Sequence, residues 1–267
     1  MTAGVTMIHK AKLIVYPLIT LAVIVALWEG AIAAFEIPNY ILPRLMDIVI
    51  ALKIGYIDGT LWPHLLITLK SLVLGYIVGC VFAFTLGALL AESVTFEIFL
   101  YPYIVALKST PKVALAPLII VWFGFEIESK IVMVALICFF PLFVNTLIGI
   151  RQASPDQIDL LRAFSASRLH IFLNVKLPSA LGMIFAGLQI SVVLGLIGVI
   201  VAEFVASRRG LGWVIQSSAH DLELGMMFAS VFTLSLIGVV ASLVFRYLQS
   251  KIVFWEGEQS DSNVVTL

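Results

Sequence analysis

Long uncharged stretches alternate with short charged connections along nearly the whole chain. Lys12 closes a short basic leader, and the apolar run Leu13 to Phe35 that follows is broken only by Glu29. Four further runs carry no charge at all: Ser71 to Leu90, Ile131 to Ile150, Leu177 to Ala202 and Leu224 to Phe245. Each approaches the ~20 residues that a helix needs to cross ~30 Å of hydrocarbon, and in an open chain only a helix satisfies its own backbone polar groups in lipid. Between them, Phe96 to Phe125 is divided by Pro102, Pro111 and Pro117 and by Lys108 and Lys112. That pattern predicts a short interfacial helix and then a crossing from about Val113 to Phe125. The expected fold is an all-α polytopic membrane protein, a single domain over 1–267. Its six or so transmembrane helices are placed at 13–35, 71–91, 113–125, 131–150, 177–203 and 224–246. Glu36 to Lys70, with Pro38, Pro43 and Pro63, is expected to lie on the outer surface as short amphipathic helices.

The first run is longer than the ~7–15 residues of a signal-peptide core, which favours an uncleaved span, although Ala31-Ile32-Ala33 imitates a cleavage site. With six crossings both termini fall on one side. Lys10, Lys12, Lys108, Lys112, Arg151, Arg162, Arg168, Lys176, Arg246 and Lys251 then lie with the N-terminus. Arg44, Lys53, Lys70, Lys130, Arg208 and Arg209 lie opposite, a division of the 16 basic residues into ten and six. The positive-inside bias makes the N-terminal side cytoplasmic. Composition agrees with a lipid solvent: 61% of residues are hydrophobic and 12% charged, against roughly 25% charged in soluble domains. A net charge of zero leaves no basic surplus for nucleic-acid phosphates. Cys80 and Cys138 fall inside uncharged runs, as small apolar packing residues would. Gly75 and Gly79, with Gly182, Gly187, Gly195 and Gly198 in the fifth span, allow close helix approach, either within the chain or along a dimer seam.

The connection from Arg151 to Lys176 is too regular to be a simple linker. Ser154-Pro155-Asp156-Gln157 spells a helix start, with Ser as N-cap, Pro at the first helical position and Gln placed for a capping box. Ile158, Leu161, Ala163 and Phe164 then form an apolar face opposite Asp156, Asp159 and Arg162. Ser165-Ala166-Ser167 breaks the pattern, Ser167 caps a second helix, and Leu177-Pro178 marks the fifth span. Such a helix pair at 154–176 either rests on lipid headgroups or enters a groove of another protein, and periodicity leaves both open.

The run DLLRAFSASRLHIFLNVKLP, Asp159 to Pro178, resembles the cytoplasmic EAA loop of bacterial ABC importer permeases. In that loop E-A-A is followed by a glycine and a closing L-P. Asp159 stands for the Glu, Leu160 and Leu161 for the alanines and Ser165 for the glycine, while Ala166, Ser167, Phe172, Val175, Leu177 and Pro178 agree. PKVALAPLIIVWFGFEIESK, FFPLFVNTLIGIR and AEFVASRRGLGWVI extend the resemblance over Pro111 to Ile215. Together they are similar to the type I, MetI-like permeases of the nitrate, sulfonate, taurine and bicarbonate branch, which also includes pyrimidine-precursor importers. The resemblance implies a permease pair, expected to be a homodimer, in the bacterial cytoplasmic (inner) membrane. A cytoplasmic ABC ATPase dimer would sit beneath it and an extracytoplasmic substrate-binding protein outside. It also implies that Asp159, Arg162, Ser165, Ala166 and Ser167 form the ATPase-coupling stretch. No G-x-x-x-x-G-K-S/T phosphate loop occurs in the sequence, so ATP and Mg are expected on the ATPase and no cofactor on this chain.

For the solute route the candidates are weaker. Glu203, Gly210 and Gly212 are either an ordinary outer turn or an outer gate. Asn145, Thr146, Gln189, Ser191, Ser230 and Thr233 are uncharged polar residues within spans that either line the path or bond to neighbouring helices. His64, His170 and His220 lack metal spacing, and no catalytic constellation is visible, so enzymatic activity on this chain is not expected. An ion-coupled secondary transporter is the alternative reading. It would carry intramembrane charge and internal repeats, and this sequence offers only its Pro-broken third span.

Overall fold

The computed structural model describes residues 2–255. Among them every regular element is helical. The helices are α1 Thr2–Ala34, α2 Leu45–Ile57, α3 Trp62–Glu92, α4 Val94–Ser109, α5 Ala116–Phe123, α6 Ile127–Arg151, α7 Pro155–Ala163, α8 Arg168–Ile171, α9 Leu177–Ala206, α10 Leu211–His220 and α11 Leu224–Ile252. Five are long and apolar enough to cross a membrane, and the bent pair α4 and α5 supplies a sixth passage if the two count as one.

At the centre α6 packs along both α3 and α9. Small residues permit this. A Cβ on Gly79 would lie 2.6 Å from the Ala135 carbonyl oxygen, and one on Gly195 would lie 2.7 Å from Cys138 Sγ. These glycines therefore serve close packing within the chain. Cys138 and Ser191 fasten the same contact reciprocally: Cys138 Sγ donates to the Ser191 carbonyl at 3.1 Å, and Ser191 Oγ donates to the Cys138 carbonyl at 2.8 Å. From Val15 to Leu27, by contrast, α1 exposes nearly every side chain, as a lipid-facing helix would. It is fixed at its later end, where Trp28 Nε1 donates to the Pro43 carbonyl at 3.0 Å and packs edge-on against Phe228. Glu29, the one charge in that apolar run, accepts the Leu45 N–H at 2.8 Å and so closes the start of α2.

Four local features differ from the sequence expectation. The second span begins at Trp62 instead of 71, because Lys70 stays exposed on the helix surface and does not end the helix. Glu36 to Lys70 thus holds one separate helix, α2, and the first turns of α3. The crossing at 113–125 is not a single helix. Lys112–Leu115 is a 3-10 turn after Pro111, α5 is 8 residues long, and α4 and α5 meet at 88°. Eight residues rise only about 12 Å, so a passage here needs both pieces. Ser154 occupies the N-cap of α7 without a side-chain capping bond, the start being set by Pro155 in the first turn. Finally, α9 begins at Leu177 as the Leu177-Pro178 signal indicated, but α8 runs on into it without interruption through a π-turn at Phe172–Lys176. The π-turn, in which the Leu177 N–H reaches the Phe172 carbonyl, accommodates a proline that cannot donate in the next position.

Candidate functional site

The two ends of the bundle hold the candidate residues. From Leu177 to Glu203, α9 rises about 39 Å at ~1.5 Å per residue, so the Arg151–Lys176 connection and the Glu203 cluster lie on opposite faces. They are called here the loop end and the far end.

At the loop end α7 has no buried residue. It stops in a left-handed turn: Ser165 has φ +58°, the Ala166 N–H reaches the Leu161 carbonyl at 3.0 Å, and the Ser165 N–H reaches the Arg162 carbonyl at 2.9 Å. This is a Schellman closure, a conformation that favours glycine and costs an L-residue roughly 1–2 kcal/mol. Ser167 follows as the cap of α8, accepting the His170 N–H at 3.2 Å. Asp159 and Arg162 form an exposed ion pair at 3.0 Å. Around the turn, Leu160, Phe164 and Leu169 project outward, Phe164 being 77% exposed. The five residues Asp159, Arg162, Ser165, Ala166 and Ser167 therefore lie on one protruding turn with an apolar rim.

Both roots of this connection grip the same place. Arg151 Nη1 and Nη2 donate to the two Glu97 carboxylate oxygens at 2.8 and 2.6 Å, and Nη2 also reaches the Leu90 carbonyl at 3.2 Å. Lys176 Nζ bonds Glu92 Oε1 at 2.6 Å. Glu92 and Glu97 flank the α3–α4 junction. Sequence reasoning did not find them, since their partners lie 84 and 54 positions away.

At the far end Glu203 is 0% exposed. Its Oε1 accepts the Thr68 hydroxyl at 2.8 Å and its Oε2 accepts the Gly212 N–H at 2.8 Å. Thr68 Oγ1 in turn accepts the Leu211 N–H at 2.9 Å, and His64 Nδ1 accepts the Gly210 N–H at 3.1 Å with its ring stacked on Trp213. Gly210 has φ +126°, and a Cβ there would fall inside the Glu203 carboxylate. Lys130 Nζ donates to the Arg209 carbonyl at 3.1 Å. The structure thus gathers Glu203, Gly210 and Gly212 and adds Thr68, His64 and Lys130 from α3 and α6. No sequence motif links those three to the loop.

The polar span residues separate. Ser191 and Ser230 are fully buried, Ser191 in the α6–α9 fastening above and Ser230 bonded to the Met226 carbonyl of its own helix. Thr146 is buried with no hydrogen-bond partner among the described residues. Three others border cavities. Gln189 and Arg246 line one of about 710 Å³ between α9 and α11. Asn145 lines one of about 720 Å³ beside Lys108 and Lys112, while its amide donates to the Pro141 carbonyl. Thr233 lines an apolar one of about 840 Å³ and accepts the Tyr56 hydroxyl at 2.9 Å. Among the described residues no three His, Cys, Asp or Glu side chains converge as metal ligands would.

Comparison with known proteins places this architecture. Residues 75–254 match the family model described as "Binding-protein-dependent transport system inner membrane component". The chain is 30% identical over 234 residues to a sulfonate-permease homologue from Bacillus subtilis, covering 88% of this chain and 85% of that protein. It is 30% identical over 247 residues to the taurine transport system permease protein of Escherichia coli, covering 90% of this chain and 89% of that protein. With the riboflavin transport system permease protein of Chloroflexus aurantiacus it shares 32% over 238 residues, 89% of each. All-helical construction, apolar spans and a match over most of the chain agree, and the protein belongs to the binding-protein-dependent inner membrane components, the MetI-like permeases of ABC transporters.

Proposed function

We propose that this chain is the membrane-spanning subunit of an ABC importer that carries a small solute inward with energy from a separate ATPase. The observation that carries the reading is the loop end: a protruding, largely exposed turn with an apolar rim, rooted by Arg151 and Lys176 in the α3–α4 junction. An exposed amphipathic helix of this kind suits the groove of a partner. The loop end is assigned to the cytoplasm, with an ATPase dimer bound there holding ATP and Mg, and a substrate-binding protein is assigned to the far end. Both termini then lie in the cytoplasm of a bacterium. In support, Trp28 near the end of α1 packs on Phe228 near the start of α11, and Trp255 after α11 borders Gln157 and Asn174 at the loop end. A second copy of the chain completes the membrane unit. Its seam is assigned to the exposed α9 side chains Ile190, Val193 and Ile197, which border the cavities containing Gln189 and Asn145.

In this mechanism the ATPase favours one of two conformations of the permease pair when ATP closes it and the other after hydrolysis, a population shift driven by differential binding. The turn at Asp159–Ser167 receives the movement and the Arg151 and Lys176 ion pairs pass it to α3 and α4. Glu203, Gly210 and Gly212 hold α10 over the far end as an outer gate. The cargo is a small solute of the kind named for relatives, a sulfonate such as taurine or a heterocycle such as riboflavin. Purification in mild detergent from cells expressing the whole operon tests the reading. Co-elution of a soluble P-loop ATPase is expected, whereas solute uptake that persists with every such ATPase deleted would establish the ion-coupled alternative.

A further inference from the structure

A cavity of about 1060 Å³ opens at the far end between α3, α6, α9 and α10. Four basic side chains line it, Lys70, Lys130, Arg208 and Arg209, against one carboxylate, Glu126. None of the four is in an ion pair among the described residues. Lys130 is the informative one. It is 4% exposed, yet its ammonium makes a single hydrogen bond, to the Arg209 carbonyl. Burial of an ammonium is costly unless charge and hydrogen bonds compensate it. Two carboxylates, Glu203 and Glu126, lie near enough to act on its charge, but neither forms an ion pair with it, and Glu203 gives its oxygens to Thr68 and Gly212. The Lys130 bond to Arg209 meanwhile fixes the backbone of the Arg208-Arg209 pair at the rim.

We propose that this cavity is a binding site for an oxyanion of the sulfonate or phosphate type. Two guanidinium forks suit the several oxygens of such a group, and a compact ammonium beneath them adds point charge. Phe125, 70% exposed, and Phe204 and Val205 supply an apolar wall beside the cations, so the ligand carries a short apolar part as well as its charged head. That chemistry has two sources at this height in a membrane protein, a free organic oxyanion or the headgroup of an anionic lipid. As a station for cargo the site rests on the permease reading. The binding does not, and the experiment reads binding alone.

The full-length protein is placed in nanodiscs of phosphatidylcholine only and titrated with methanesulfonate at constant ionic strength, with dimethyl sulfone as the uncharged control. Tryptophan fluorescence is followed, because Trp213 forms part of the cavity wall. A saturable response to methanesulfonate and none to the sulfone is expected, weakened about tenfold or more in Arg208→Ala/Arg209→Ala. That variant keeps the carbonyl that Lys130 uses. Lys70→Gln, at an exposed position, is a second test and should weaken binding less. If methanesulfonate gives no response but phosphatidylglycerol added to the nanodiscs does, with the same loss in the double variant, the oxyanion is a lipid headgroup. The proposal is overturned if neither probe gives a saturable response, or if the double variant responds as the parent does. Absence of a co-purifying ATPase would remove the permease reading and leave this result untouched.

Discussion

At the far end Glu203 is wholly buried with both oxygens bonded, whereas at the loop end α7 buries nothing and Phe164 stands 77% exposed. Both regions contain a backbone conformation rare for L-residues. The far end fills its position with Gly210, at φ +126°, and the loop end uses Ser165, at φ +58°. The difference lies in what surrounds them. A side chain at 210 has no room because the carboxylate is already there, while a side chain at 165 points into open surroundings and costs only its own backbone strain. One region is thus built to be rigid by its own contacts. The other leaves its side chains open to the surroundings.

Gly210→Ala tests that contrast most severely. It combines positive φ with overlap on Glu203 and should cost about 3 kcal/mol or more, seen as a large fall in the thermal midpoint of the detergent-solubilised protein. Glu203→Ala comes next. It leaves the Thr68 hydroxyl and the Gly212 N–H without their acceptor, a loss of about 2–4 kcal/mol, and hydrogen exchange should accelerate at Gly212 more than anywhere in α7. At the loop end Arg151→Glu should change stability only slightly, as for other partly exposed ion pairs, yet lower substrate-stimulated ATPase activity several-fold. Partial recovery in Arg151→Glu/Glu97→Arg would separate transmission through the pair from general damage, and no recovery would remove it from the mechanism. The smallest effect is Ser165→Gly. It should stabilise the turn by about 1 kcal/mol, read as slower exchange of the Ala166 amide.

The same contrast explains what the sequence disclosed. Long charge-free runs fixed the presence of α3, α6, α9 and α11, because lipid admits no other backbone arrangement for them. Their ends were less legible. Lys70 looks like a boundary only if a charge must leave the helix, and it does not when its side chain faces outward. The Leu177-Pro178 signal marks the start of α9, but the continuity of α8 into it is not legible, because a π-turn, one residue wider than the usual bonding pattern, has no composition of its own. The positive φ at Ser165 could be anticipated only through the family resemblance that puts glycine there. Glu203 with Gly210 and Gly212 was visible as a local group, but Thr68, His64 and Lys130 join it across the fold, and Glu92 and Glu97 meet the loop roots in the same way. Contacts between distant segments carry no periodicity along the chain.

The side of the membrane on which the Ser165 turn lies decides the account. Cys80 and Cys138 are both buried, so a single Ser165→Cys variant can be read with a membrane-impermeant maleimide. Labelling of inverted vesicles stripped of peripheral proteins, with none in intact spheroplasts and protection when the ATPase is restored, is the predicted result. Ready labelling in intact spheroplasts would contradict it.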